Sequence, residues 1–293
     1  MISLVVRAGL VVVVGLGVVG CGADDKAPAG ARSVTQTPQR PAKKVRPVVK
    51  VPAGTRVGYA VFDRASGKMV LAKGEHLTFR SASVVKILIA LDFLGRQKAS
   101  AADLAMLRPM LRSSDDKAAT AFWARGGKAA IIARMVKKLG LGETAPPPAE
   151  KPGFWGYTAL SAADVVKTYR YLMDGAPEDD REFVVGNLRK ATPCGTDKYD
   201  QYFGIPRAVP RPWAVKQGWS GFGDSPAVPC KGTLRPASAP DLGLGRPVLH
   251  TTGLVAKERR ILVVLSLHPA GTSFQVAQGR LTALTRQVHR ASS

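Results

Sequence analysis

An α/β domain of the α+β kind, with an antiparallel sheet contributed by both chain ends and a small helical subdomain between them, is the architecture that this sequence predicts. Three observations predict it. Strand patterns stand at both ends of residues 53–293. Helical patterns fill the interval between them. The chain then closes on an apolar stripe at Phe274, Ala277, Leu281, Leu284 and Val288, spaced 3, 4, 3, 4, which suits a helix laid on a sheet. About 240 residues suit one such domain.

The elements follow in order. Arg7 precedes an uncharged apolar run, Ala8 to Gly20, ending in Val18-Val19-Gly20-Cys21. The run is shorter than the ~20 residues a bilayer span needs, so residues 1–20 read as an export signal. Its ending resembles the bacterial lipobox, in which Cys21 would become the lipidated first residue of the mature protein. An uncleaved anchor is the alternative, and either way the domain is expected outside the cytoplasm. Residues 21–52 read as a tether. From Lys26 to Pro52 there are five prolines, seven Lys/Arg, no acid and no apolar side chain larger than valine, a composition that cannot bury a core. Its charge would hold it against an anionic membrane or envelope polymer; a merely soluble spacer is the equal alternative.

Val57–Phe62 and Lys68–Leu71 flank the turn Asp63-Arg64-Ala65-Ser66-Gly67 and predict a hairpin. The stretch Phe79–Leu94 runs from a polar cluster into a helix whose only charge between Val84 and Leu91 is Lys86. Such a helix belongs in a core, with Ser81 and Ser83 as natural caps. Helices are expected around Leu104–Leu111, Lys117–Trp123 and Ala129–Leu139, the last stopped by Gly140 and Gly142. Residues 144–156 are rich in proline and glycine and predict loop. Ser161 caps a helix to about Met173. Strands return at Trp213–Lys216, Leu249–Val255 and Ile261–Leu267, the last two joined by Lys257-Glu258-Arg259-Arg260.

Charge and cysteines narrow the function. Lys and Arg number 43 against 21 Asp and Glu, a net charge of +22. That balance raises nucleic acid as a partner. Sparse aromatics, the lack of a nucleic-acid motif and an export signal argue against it, and an acidic envelope surface suits the charge better. With Cys21 given to lipid, Cys194 and Cys230 remain as one pair that an oxidising compartment would bridge. No metal or other cofactor is expected, because no Cys-x-x-Cys or His-Glu-x-x-His spacing occurs. Gly218-Trp219-Ser220-Gly221-Phe222 misses the Gly-x-Ser-x-Gly elbow, which disfavours a Ser-His-Asp hydrolase.

Ser83 and Lys86 are three apart and share a helix face. A desolvated lysine loses preference for the charged form and can take a proton from a neighbouring hydroxyl. Taken alone, the pair also fits a capping serine and a snorkelling lysine, and Ser114/Lys117 repeats the spacing in charged, loop-like surroundings. Order along the chain adds more. Ser83-Val84-Val85-Lys86, then Ser114-Asp115-Asp116, then Lys216-Gln217-Gly218 resemble the Ser-x-x-Lys, Ser-Asp-Asn and Lys-Thr-Gly set of class A β-lactamases and penicillin-binding proteins. Met110–Ala119, and Gly126-Gly127 followed by Leu139-Gly140, are similar to that family's intervening segments. The resemblance covers about Val51 to Arg290 and implies a β-lactamase/transpeptidase-like fold with a trimmed helical subdomain.

Carried over by position, the resemblance makes Ser83 the acyl-accepting nucleophile and Lys86 its proton partner. Ser114 would relay a proton to the leaving group, and Lys216 would attract a substrate carboxylate. Asp116, Gln217, Gly218 and Trp219 would meet substrate, and the N–H groups of Ser83 and of the strand near Trp219 would hold an oxyanion. Asp115 is expected to be structural. The departures are Asp116 for asparagine, Gln217 for threonine, a shorter gap between the first two motifs, and a 142–152 loop without a Glu-x-x-Leu-Asn pattern. Glu150 is the one candidate there for a deacylating base. The implied function is an acyl-enzyme at Ser83 with a peptidoglycan-type peptide, a β-lactam or an ester, slow to deacylate. The rival is a non-catalytic envelope-binding lipoprotein that keeps the fold.

Overall fold

The computed structural model describes residues 48–231 and 245–293. The expected export signal, Cys21 and the tether as far as residue 47 lie outside the described residues. The end of the tether segment is seated on the domain: the Lys50 N–H donates to Gln287 at 2.8 Å, and Val49 and Val51 pack against core residues.

The predicted hairpin is β1 (Arg56–Asp63) and β2 (Lys68–Lys73), antiparallel from Tyr59↔Lys73 with a register shift between Val61 and Phe62. A two-residue strand β3 (Phe79–Arg80) leads through a 3₁₀ turn, Ala82–Val85, into α1 (Lys86–Leu94). Every residue of α1 from Lys86 to Phe93 is buried, as its all-round apolar surface requires. Neither Ser81 nor Ser83 caps it, because the 3₁₀ turn already feeds the helix and no side-chain cap bond forms.

Helices α2 (Ala101–Arg112), α3 (Asp116–Arg125) and α4 (Ala129–Leu139) follow. Ser100 caps α2 in a reciprocal box with Asp103. Asp115 caps α3 by accepting from the Ala118 N–H at 2.7 Å, so the N-cap is not Ser114. The proline-rich loop ends in a single 3₁₀ turn, Trp155–Tyr157, and a short strand β4 (Ala159–Leu160) that pairs with β3. Ser161 then caps α5 (Ala162–Asp174).

The sequence reading passed over α6 (Glu178–Arg189) and the one-turn α7 (Ile205–Ala208). In α6 the buried residues are Val184, Val185, Asn187 and Leu188, too short a stripe to stand out among its charges. The strand β5 runs over Ala214–Ser220, four residues past Lys216, because it pairs with β6 (Val248–Val255) along its whole length. After β7 (Arg260–Leu267) the chain ends in α8 (Phe274–Ala291).

The sheet order is β2-β1-β7-β6-β5, all antiparallel, so strands from the two chain ends meet at β1 and β7. Alternation across the pleat divides the core. Val57, Tyr59, Val61, Leu262 and Val264 join the α8 stripe in one cluster, while Ala60, Phe62, Ile261, Val263 and Leu265 join α1 and the other helices in the second. Cys194 and Cys230 form a disulfide with their Cα atoms 5.6 Å apart, worth roughly 3–4 kcal/mol on the chain-entropy account.

Candidate active site

Ser83 sits in the 3₁₀ turn between β3 and α1 and lines a cleft of about 1010 Å³. Its predecessor Ala82 has φ 45°, and Ser114, between α2 and α3, has φ 55°. Left-handed backbone at non-glycine residues is strained and tends to persist where surrounding structure holds a site.

Lys86 is fully buried as the first residue of α1. Its Nζ donates to Ser83 Oγ at 2.8 Å, to the Ser114 carbonyl at 2.7 Å and to Asp116 Oδ1 at 2.5 Å. An ammonium has three protons, so all are matched. The Trp155 ring adds a fourth contact, its centroid 4.4 Å from Nζ. Burial pushes the Lys86 pKa down, and the Asp116 carboxylate pulls it back up without cancelling the shift.

Ser114 Oγ accepts from Lys216 Nζ in a short bond and lies 3.4 Å from Gln201 Oε1. Lys216, on β5, is 1% exposed and also donates to the Gln217 carbonyl. Burial, and then the charge of Lys86, set its pKa well below that of a free lysine. It therefore lies beneath Ser114 and not on the cleft wall, where the resemblance would have it meet a carboxylate. Gly218, two positions on, brings the strand against the nucleophile turn. A methyl group there would stand 3.0 Å from the Ser81 carbonyl oxygen and 3.3 Å from Ser83 N, so glycine keeps the two backbones close enough to share one oxyanion.

Several expected residues are placed otherwise. Gln217 points inward: its Nε2 donates to the carbonyls of Gln201 and Phe203 at 3.1 and 2.6 Å, and it is absent from the cleft wall. Strand alternation puts it on the opposite face from Lys216 and Gly218. Glu150 is exposed on its loop and does not line the cleft either. The 3₁₀ turn of that loop presents Trp155 to Lys86 instead. Asp116, Trp219 and Ser83 do line the cleft. Lys117 of the second Ser-x-x-Lys match is exposed.

Two site residues besides Trp155 were missed from the sequence. Asp197 lines the cleft, accepting from Trp219 Nε1 at 2.8 Å and from the Tyr199 N–H at 3.2 Å, and burial raises its pKa. Gln201 fixes Ser114 from behind while donating to the carbonyls of Arg112 and Thr192. Both sit in the irregular 190–204 segment, where no periodicity or spacing marks a residue; only the fold brings them to Ser114 and Trp219. Among the described residues no His, Cys, Asp or Glu cluster could hold a metal ion.

The fold matches known structures. A class A β-lactamase from Mycobacterium abscessus superposes with a TM-score of 0.58, covering 81% of this chain and 94% of that one at 18% identity. The fold is that of the class A β-lactamases. A β-lactamase from Xanthomonas campestris gives a TM-score of 0.59 at 17% identity, covering 82% and 93%. A point mutant of PBP-A, in its acyl-enzyme complex with penicillin G, gives 0.57 at 16% identity, covering 82% and 90%. So the β-lactamase fold is shared with a penicillin-binding protein as well. By sequence, the chain is 36% identical over 228 residues to LppW of Mycobacterium tuberculosis and Mycobacterium bovis, whose name describes it as a candidate lipoprotein. The match covers 74% of this chain and 65% of LppW, so the chain spans just under two thirds of that relative's length. No protein-family profile matches the sequence.

Proposed function

We propose that this is an exported, lipid-anchored envelope protein that forms an acyl-enzyme at Ser83 with a peptidoglycan-type peptide, a β-lactam or an ester, and releases it slowly. The observation that carries the reading is the 2.8 Å contact between Lys86 Nζ and Ser83 Oγ, with Ser83 lining a cleft. Attack of Oγ on an acyl carbon passes the hydroxyl proton to the neutral amine of Lys86. The N–H groups of Ser83 and of the strand at Trp219 receive the oxyanion. Ser114, bonded through Oγ to Lys216 and through its carbonyl to Lys86, would return a proton to the leaving group. Slow release follows from the loop, which offers Trp155 and an outlying Glu150 where a water-activating carboxylate is needed. Losing a positioned general base lowers a rate by about 10²–10⁴-fold. The lipid anchor rests on the Val-Val-Gly-Cys21 ending and on the name of LppW.

The 2.5 Å Asp116–Lys86 ion pair favours a second reading, a binding lipoprotein whose serine is idle. Intact-mass measurement after incubation with a penicillin and with an activated ester separates the two. A persistent adduct in the native protein, absent in Ser83→Ala, is expected. No adduct with either probe favours the binding protein, and rapid turnover contradicts the slow-release step.

A further inference from the structure

The cleft runs against the charge of the chain. In a protein of net charge +22, the described residues that line it include Asp116, Asp197 and Asp224 and no lysine or arginine. The nearby lysines are spent: Lys86 on Ser83, Ser114 and Asp116, and Lys216 on Ser114 and the Gln217 carbonyl. Arg80 is held by Ser220 and by the Arg246 carbonyl. Among the described residues, then, no lysine or arginine lines the cleft wall to meet an incoming anion.

Asp197 is left short of a counter-ion. Its bonds come from two neutral N–H groups, of Trp219 and Tyr199, and Lys86 lies near enough to act on it but is paired with Asp116. A carboxylate withdrawn from water without a cation is costly, and a cationic ligand would offset that. The walls suit the same ligand. Seven of the lining residues are aromatic, among them Trp219, which bonds Asp197, and Phe222, whose carbonyl accepts from Tyr199. Aromatic rings beside a carboxylate are the means by which proteins recognise alkylammonium groups. The cleft already holds one ammonium this way, that of Lys86 against Trp155.

We propose that the cleft takes a ligand bearing an alkylammonium group, seated by Asp197 and Asp224 among the aromatic side chains of Trp219 and Phe222, and discriminates against carboxylates. This rests on the cleft being the ligand site, but not on Ser83 reacting.

The test uses Ser83→Ala protein, in which acylation plays no part, and tryptophan fluorescence titration with three probes of one shape: choline, the uncharged 3,3-dimethyl-1-butanol, and 3,3-dimethylbutyrate. Choline is expected to bind about tenfold more tightly than the alcohol, the usual scale of a cation–aromatic site, with the carboxylate weakest. Asp197→Asn should remove most of that preference. Asp224→Asn, at an exposed position that does not endanger folding, should remove part of it. Equal affinities, a preference for the carboxylate, no binding of choline, or a preference untouched by both substitutions would each overturn the proposal, whatever the mass spectra show for Ser83.

Discussion

A lysine that is to take a proton from Ser83 must first give one up, and Asp116 opposes that loss. Burial favours neutral Lys86; the carboxylate 2.5 Å away favours the ammonium. Asparagine, which the resemblance expects at this position, would keep the shape and remove the charge. In Asp116→Asn the Lys86 pKa should therefore fall further, and each unit raises the neutral fraction near pH 7 about tenfold. The expected outcome is acylation at least several-fold faster at neutral pH, with the rise of the rate–pH profile displaced to lower pH. Timed mass spectra with an activated ester across pH 5.5–9 measure both. A rate at or below the native one, with an unmoved profile, would show that the ion pair does not restrain the serine.

At the scale of the element, β6 carries a buried group with a clear acid liability. His250 is fully buried; its Nε2 contacts the Arg80 carbonyl at 2.9 Å, and its Nδ1 accepts from the Ser266 N–H of β7. Burial, with the charges of Arg80 and His268 adding to it, pushes its pKa from 6.5 to about 4. The unfolded chain then binds a proton that the folded one refuses. Stability is full above pH 6.5 and is lost as pH falls toward 4, by on the order of 3 kcal/mol. Urea unfolding between pH 7.5 and 4.5 should show the decline, and His250→Gln should make it shallower without abolishing it, because burial also lowers the pKa of His268 to about 4; parallel curves for the two proteins would count against this assignment. Elements differed in how far the sequence disclosed them. α4 and α8 were legible because each has a one-sided apolar pattern bounded by turn or glycine signals, and the hairpin because two strand-like runs flank a cluster of turn residues. α6 was not, since four buried residues stand among its charges. The β5 extension was hidden because Gly218 and Ser220 look like strand terminators until β6 supplies their partners, His250 and Val248.

For the whole molecule, the site depends on a sheet closed between the two chain ends. Ser83 and Lys86 arrive from the first third of the domain, Ser114 and Asp116 from the helical subdomain, and Lys216 and Gly218 from a strand that needs β6 and β7 to be in place. Motif order made the serines and lysines legible. The direction of Gln217 and the roles of Asp197, Gln201 and Trp155 were not, because each is set by contacts between segments far apart in the chain. The same scale governs location. One acyl chain binds a membrane only marginally, while clustered Lys and Arg add about 1 kcal/mol each near an anionic surface and lose it to salt. Residues 26–52 carry seven such charges next to Cys21. Native protein should thus stay with the membrane fraction in both low and high salt, and Cys21→Ser should stay in low salt but be released in high salt. Fractionation of expressing cells in 50 mM and 1 M salt reads this directly. If Cys21→Ser remains membrane-bound in 1 M salt, the anchor is something other than a lipid on Cys21.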